Sequence, residues 1–516
     1  MHIVQLSLET TSYDRQIIGK RFHAISHIHN VLVKHAKKCL IQLRHDKVYK
    51  ETLSEYSILK RKDKLSKEEK SHKKDKLSKT EKSRIKELSK ILTERVRNYS
   101  LSEYDFQSYI KLSAKQFRKC LSSQQVQKEA TRVWKGVEKV LYGNGKDIHF
   151  KRFRTFSTIC GKTNTNGIKF DKASLSIEWL GLDIQCKFPK DNSYMVKALN
   201  ADISYCEIKR SCFPNGWHYY LIVYLKGDAP HKLRGTGTID NISGVDIGTS
   251  TVAVVSDDKV TLEELAPKCS AYNKKIIKLS QRIDNSKKTS NPLKYRSDGT
   301  INSSNHDKWV FSKTYFKLRD KLASIYRKKS AYIKQSHEEL INSLLKDSVN
   351  FITEDMSFSG LQRRAKKTER QDKISEVKQK DGSTKKVRKY KRKKRFGRSL
   401  NNRAPASFIA ILERKAKLYG GLLCKVNTKK FRASQYDHVT DEYKKCELDE
   451  RDKLIGGHKV QRDLYSGFLL KNSNLKLDAP DRDKCIYGFE KFLELQDELI
   501  NKMITDNISM KQCFGF

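Results

Sequence analysis

Proline is scarce in this 516-residue chain, seven in all, and none falls between Lys20 and Tyr142. A proline inside a helix removes a hydrogen bond and clashes with the preceding turn. That stretch is therefore open to helix, and Leu, Ile and Val recur in it at three- and four-residue steps. Long apolar runs are missing as well. The longest, Tyr219 to Leu225, is seven residues, which is strand length and far below the ~20 a membrane-spanning helix needs. No C-x-x-C occurs, and the eleven cysteines are scattered and odd in number. They read as free thiols of a reducing cytoplasm, not as a disulfide framework, and they argue against a cysteine-rich zinc site. The start, Met1 to Arg15, has neither a basic region nor an apolar one of secretory type, so no signal peptide is expected. Acidic residues are heavily outnumbered, 60 against 107 Lys and Arg, for a net charge of +47. Self-repulsion on that scale opposes compaction and calls for a polyanion. Nucleic acid is the first candidate partner and an anionic membrane surface the second. The length predicts two to four domains.

Periodicity divides the chain into three regimes. His2–Thr10 alternates apolar and polar residues, as a strand does, and helical patterning runs from about Lys20 to Tyr142. Its middle, Arg61 to Asn98, is dense in Lys and Glu. It is either a solvated helical hairpin held by charge pairs four residues apart or a helical surface for a phosphate backbone. From Lys146 short strands are expected: 168–170, Leu175 to Trp179, Leu182 to Phe188, then Ile203 to Lys209 and Trp217 to Leu225 about a Pro214-Asn215-Gly216 turn. These predict a small β-barrel or curled sheet that includes the N-terminal strand, with the helical region as an insertion. The third regime begins near Ile242 and interleaves strands with helices in the α/β manner. It has a hairpin over Gly244–Val255, helices at about 268–285, 308–347 and 405–419, buried strands Val349 to Ile352 and Leu422 to Val426, and a helical tail from Val460.

Three acids stand out by their settings. Asp246 lies within the apolar strand G-V-D-I-G-T-S, Glu354 ends the buried strand F-I-T-E-D, and Asp463 falls in the first turn of the apolar helix Q-R-D-L-Y-S-G-F. A carboxylate among apolar residues is costly to bury unless it meets a cation or hydrogen-bond donors. Each also has a plainer reading: a turn residue for Asp246, competition from Asp355 for Glu354, and simple stabilisation of a helix start for Asp463. Converging at one sheet edge, the three would hold two divalent ions, and hard oxygen ligands favour Mg²⁺ or Mn²⁺.

The ordered set V-D-I-G-T-S, I-T-E-D-M-S and Q-R-D-L-Y-S-G-F resembles the three motifs of a RuvC-type nuclease. More narrowly, the chain resembles the TnpB-like transposon-associated nucleases and the related compact type V CRISPR effectors, with the specific likeness confined to the region from Ile242 onward. The resemblance implies a multidomain α+β protein. A wedge β-barrel would occupy 1–19 and 145–240, a helical recognition domain 20–144, and an RNase H-like RuvC nuclease domain 241–516. It implies a prokaryotic, cytoplasmic RNA-guided DNA endonuclease with guide RNA and target DNA as partners, two Mg²⁺ or Mn²⁺ ions, no membrane, and Asp246, Glu354 and Asp463 as catalytic metal ligands. The family's zinc ribbon is expected in degenerate form at 433–459, where Cys446 is the only cysteine. Zinc is therefore not expected, and packing through Tyr436 and Tyr443 takes the place of thiolates. Two rivals remain. One is a guided DNA-binding protein that does not cut. The other is an actin-like ATPase, suggested by D-x-G-T before a hairpin, although no Asp precedes Gly420-Gly421 or Gly456-Gly457 as its second phosphate loop requires.

Between the second and third motifs, Arg363 to Arg398 carries 18 Lys/Arg against 4 Asp/Glu. It is either a disordered charged loop or an electrostatic track for a nucleic-acid backbone. Its position favours the track, with Arg363, Arg364, Lys366, Lys367, Lys391, Arg392, Lys393, Lys394 and Arg395 as candidate nucleic-acid-binding residues. Tyr390 and Phe396 could stack on bases, and Phe396 could equally pack in the core.

Overall fold

A computed structural model describes residues 1–68, 78–143, 145–189, 191–230, 237–362, 370–378, 384–390, 397–445, 450–508 and 514. The chain is mixed α and β and forms two compact units, Met1–His231 and Lys232–Phe516. Among the described residues no helix is long and apolar enough to cross a membrane.

The first unit is a seven-stranded antiparallel sheet with helices inserted after its first strand. β1 (His2–Leu8) alternates buried and exposed residues along its length. Five helices follow: α1 (Ser12–His45), α2 (Lys47–Glu68), α3 (Lys79–Asn98), α4 (Glu103–Ala114) and α5 (Ser123–Tyr142). α1 begins earlier than the periodicity near Lys20 suggests, because Thr11 and Asp14 form a reciprocal capping box that satisfies the first free N–H groups. Val126, Ala130, Val133 and Val137 bury one stripe of α5 in the shared core. The chain then supplies β2 (Thr158–Cys160), β3 (Lys169–Asp171), β4 (Ser176–Trp179), β5 (Leu182–Lys187), α6 (Ser193–Leu199), β6 (Ile203–Phe213) and β7 (Gly216–Leu225). The order is β2-β6-β7-β1-β5-β4-β3, that of an open sheet among the described residues. Gly216, at φ 119°, makes the β6–β7 turn that Pro214-Asn215-Gly216 signals. Arg21 fastens α1 to the sheet: its guanidinium lies 4.4 Å from the Trp179 ring centroid and donates to the Trp179 and Leu180 carbonyls at 2.6 and 2.7 Å.

The second unit is built on a five-stranded sheet. β8 (Thr238–Ile247), β9 (Thr251–Val255) and β10 (Val260–Glu264) form an antiparallel meander. α7 (Cys269–Thr289) and α8 (Lys313–Leu344) separate it from β11 (Ser348–Glu354), which returns parallel to β8. Then come α9 (Phe358–Gln362), β12 (Arg370–Lys378), β13 (Thr384–Tyr390), α10 (Gly397–Arg403) and α11 (Pro405–Leu418). β14 (Leu423–Val426) adds a second parallel neighbour to β11, for the order β10-β9-β8-β11-β14.

Strand alternation sorts the two faces of this sheet. Val245, Ile247, Val252, Val254, Val349 and Phe351 pack with Leu344, Phe408 and Leu412 of α8 and α11. Ala253, Val255, Ile352 and Val426 face a second cluster that includes Tyr465, Phe468, Leu469, Phe489 and Phe492. Those aromatics come from α13 (Arg462–Lys471) and α14 (Arg482–Thr505). The rings of Phe468 and Phe492 stack with centroids 4.7 Å apart, and burial of each such side chain contributes about 1.5–3 kcal/mol.

Before α13 come α12 (Thr428–Phe431) and two small hairpins, β15 (Tyr436–Asp437) with β16 (Glu442–Tyr443) and β17 (Asp452–Ile455) with β18 (His458–Gln461). The tail is therefore not helical from Val460. Val460 lies in β18, and the Gln461 side chain caps the helix that follows by accepting the Leu464 N–H at 2.7 Å.

Candidate active site

Asp246 is the penultimate residue of β8, not a mid-strand one, and Glu354 is the last residue of β11. Thr353 pairs with Val245, so Glu354 and Asp246 are next in register on neighbouring parallel strands. Because Val245 and Phe351 belong to the α8–α11 face, alternation turns both carboxylates to the opposite face, toward α13. They stand at the carboxyl ends of the strands, where open α/β sheets bind ligands. Asp355, the neighbour that competed for the role, is exposed, and its N–H is spent on the Val426 carbonyl at 2.9 Å.

α13 brings the third acid. The helix approaches β8 closely because neither backbone carries a side chain at the crossing. A Cβ on Gly244 would overlap the Gly467 carbonyl, and one on Gly467 would come within 3.4 Å of the Gly244 oxygen. Asp463 lies four residues before Gly467, one turn earlier on the same side of the helix.

Asp463 and Glu354 lie near enough to Asp246 to act on it electrostatically. Burial pushes the Asp246 carboxyl well above its ordinary range, and the charges of Asp463 and Glu354 push it further, while the Arg462 charge and the nearby Ser466 hydroxyl work the other way. Burial also raises Glu354, against a hydrogen bond from the Ala433 N–H to its Oε1 at 3.3 Å. Asp463 is met by cations: Arg462 Nε and Nη2 each lie 3.3 Å from its Oδ1, and Arg451 Nη1 lies 3.7 Å from Oδ2. Three carboxylates make a hard-oxygen donor set of the kind that divalent cations take, and the rise of the Asp246 carboxyl comes first from burial and then from the like charges near it. The side chains are not drawn into a coordination group, for among the described residues no cluster of three or more Asp, Glu, His or Cys is arranged to hold an ion.

Several participants were not legible in the sequence. Gly244, Gly467 and Ser466 sit in the quoted motifs, and the glycines flank the acids at two and four residues, a usable signal for close helix–strand packing. Arg451 and the Ala433 N–H carry no such signal.

The candidate nucleic-acid-binding residues Arg363, Arg364, Lys366, Lys367, Lys391, Arg392, Lys393, Lys394 and Arg395 lie outside the described residues, as does Phe396. Between them the structure places β12 and β13, paired as an antiparallel hairpin from Lys378–Thr384 to Arg370–Tyr390. The disordered-loop alternative does not hold for 370–378 and 384–390, and Asp381-Gly382 is the sequence signal for a hairpin that the density of charge obscured. In the cysteine-poor segment Tyr436 and Tyr443 face each other across β15 and β16 with ring centroids 4.9 Å apart, and the Arg432 guanidinium lies 4.2 Å from the Tyr443 centroid. His438 is buried behind them, its Nδ1 2.8 Å from the Tyr465 hydroxyl. Gly456 and Gly457, at φ 57° and 82°, form the β17–β18 turn, and Gly420, at 81°, follows α11. These glycine pairs serve turns, where the ATPase alternative needs a phosphate loop.

The chain matches no protein-family model and no curated protein. It is similar to a chain in a cryo-EM structure of a CRISPR-Cas12f ternary complex, with 12% identity, a TM-score of 0.25, and coverage of 92% of this chain and 99% of that one. A likeness of that degree carries no argument about fold or site.

Proposed function

We propose that this chain is an RNA-guided DNA endonuclease. In this reading 241–516 is an RNase H-like RuvC nuclease domain, 1–19 with 145–240 a wedge domain, and 20–144 a helical recognition domain. One observation supports it: acids from three elements, more than a hundred residues apart in sequence, lie near enough to the carboxyl ends of β8 and β11 for Asp463 and Glu354 to act electrostatically on Asp246. The net charge of +47 supports a polyanionic partner. Guide dependence rests on the motif resemblance.

Asp246, Glu354 and Asp463 would hold Mg²⁺ or Mn²⁺, which when bound activates a water and steadies the leaving oxygen of a phosphodiester. The chain's own groups prepare for this. The like charges around Asp246 make a cation the group that best relieves them. The Ala433 N–H holds the Glu354 carboxylate by a hydrogen bond at 3.3 Å.

The test pairs binding with cleavage. The purified protein is expected to carry a defined RNA and to cut DNA matching a sequence reprogrammed in that RNA. Asp246→Ala is expected to keep RNA and target binding, which rest on pairing and phosphate contacts, and to lose cleavage. Glu354→Ala and Asp463→Ala should behave alike, since the three act as one unit. Equal cutting with an unrelated guide, or with none, would refute the guided reading, and normal cutting by Asp246→Ala would refute the site.

A further inference from the structure

Among the described residues Asp463 is the acid of the three that is held in ion pairs, and its two arginines hold it differently. Arg462 is its neighbour in sequence. Its backbone N–H donates to the Arg451 carbonyl at 2.8 Å and its Nη1 to the Glu450 carbonyl at 2.7 Å, so the guanidinium is anchored independently of Asp463. Arg451 comes from the small-hairpin module, immediately before β17, and reaches Oδ2 through Nη1 alone at 3.7 Å. Its Nε is buried with no hydrogen-bond partner among the described residues. The ion pair is shielded, with side-chain exposures of 23% for Arg451 and 15% for Asp463, and is therefore less screened than a surface pair.

A cation at this site needs the oxygen that Arg451 covers. Two positive groups cannot share one carboxylate oxygen without repulsion, so cation and guanidinium compete. Of the two arginines, Arg451 is the one held by a single long contact and, among the described residues, left with an unsatisfied donor, and so it is the one that yields. A phosphodiester oxygen is the partner that would satisfy that donor, since guanidinium matches phosphate geometry.

Resting on the nuclease reading above, we infer that Arg451 is a guard. It occupies Asp463 while nucleic acid is absent, and a phosphate backbone draws it away, so that nucleic acid and cation bind with positive coupling. Linkage makes that coupling reciprocal.

The experiment measures Mn²⁺ affinity of the full chain, with its co-purified RNA, by electron paramagnetic resonance of free Mn²⁺, with and without a target DNA strand. Arg451→Gln is expected to bind Mn²⁺ about two- to fivefold tighter than wild type without DNA, the worth of a partly exposed ion pair, and to lose the enhancement that DNA brings. Lys459→Gln makes the same charge change on an exposed lysine of the same module, which pairs with Asp452 at 2.9 Å, and should match wild type. Equal affinity of Arg451→Gln and wild type, or an equal gain in Lys459→Gln, overturns the guard. Should Arg451→Gln fail to fold, Arg451→Ala takes its place, read against Lys459→Ala with the same DNA, and equal Mn²⁺ affinity of the two overturns the guard. Asp246→Asn separates the two claims. If it binds Mn²⁺ as wild type does, the metal site itself is misassigned and the guard falls with it.

Discussion

Gly244 of β8 and Gly467 of α13 touch backbone to backbone, with no room for a methyl group on Gly244. Gly244→Ala is therefore expected to lift the helix off the strand at a cost of about 1–3 kcal/mol or more. It should also separate Asp463 from Asp246, and a misplacement near 1 Å costs on the order of 10²-fold in rate. Gly19→Ala is the control: nothing lies within 4 Å of its added Cβ, and alanine inside a helix is favoured by about 0.5–1 kcal/mol. Melting temperature and cleavage rate of the two variants check this, and equal behaviour would remove the close approach as the positioning device.

Stability should fall in acid partly through His438. The residue is 1% exposed, and burial holds its pKa below the ordinary 6.5. The folded chain thus binds this proton less readily than the unfolded one. The contribution is present above pH 6.5 and is lost as pH falls through the depressed value, at a slope of at most about 1.4 kcal/mol per pH unit. His438→Gln, which also removes the edge-on ring packing against Phe489 at 4.6 Å, should melt lower throughout but with a flatter pH dependence below 6.5. An unchanged slope would assign the acid sensitivity to other groups.

The small-hairpin module is expected to need no zinc. Tyr436, Tyr443 and Arg432 supply cross-strand and cation–π packing there. Tyr443→Ala should cost about 1–2 kcal/mol, and a chelator should leave the wild-type melting temperature unchanged. About one tightly held zinc per chain in elemental analysis would overturn this.

Neutralising Lys391, Arg392, Lys393, Lys394 and Arg395 should weaken nucleic-acid binding and flatten its salt dependence, by about 0.7–0.9 in log–log slope for each phosphate no longer neutralised. Binding isotherms across a salt series check this. A parallel shift with unchanged slope would place the phosphate-binding side chains elsewhere.

The acids were legible because a carboxylate inside V-D-I-G or at the end of F-I-T-E breaks an apolar strand, and such breaks need a reason. The β6–β7 hairpin was legible because Asn215-Gly216 is a local turn signal. What pairs β8 with β11 is not local: about a hundred residues, including α7 and α8, lie between them, and periodicity within a strand says nothing about its neighbour. Asp463 was visible as a helix-start acid, but the approach of its helix to β8 depends on the two glycines. Arg451 was hidden among 107 Lys and Arg, because only the fold distinguishes one cation from another. The β12–β13 hairpin was missed for a related reason: the charge of the segment outweighed its alternation.

The parallel return of β11 to β8 also sets a timetable for synthesis. The Met1–His231 unit leaves the ribosome first and holds its own core. Asp246 emerges soon after, but its partners do not. At ~5–20 residues per second, roughly 10–40 s pass between translation of β8 and of α13. During that interval Gly244 has no helix to receive and Asp246 has no third acid beside it. A nascent chain is thus able to shape its N-terminal unit well before α13 can pack on β8. Chains arrested at Lys425 should show this in limited proteolysis, with Met1–His231 protected and β8 still open to cleavage.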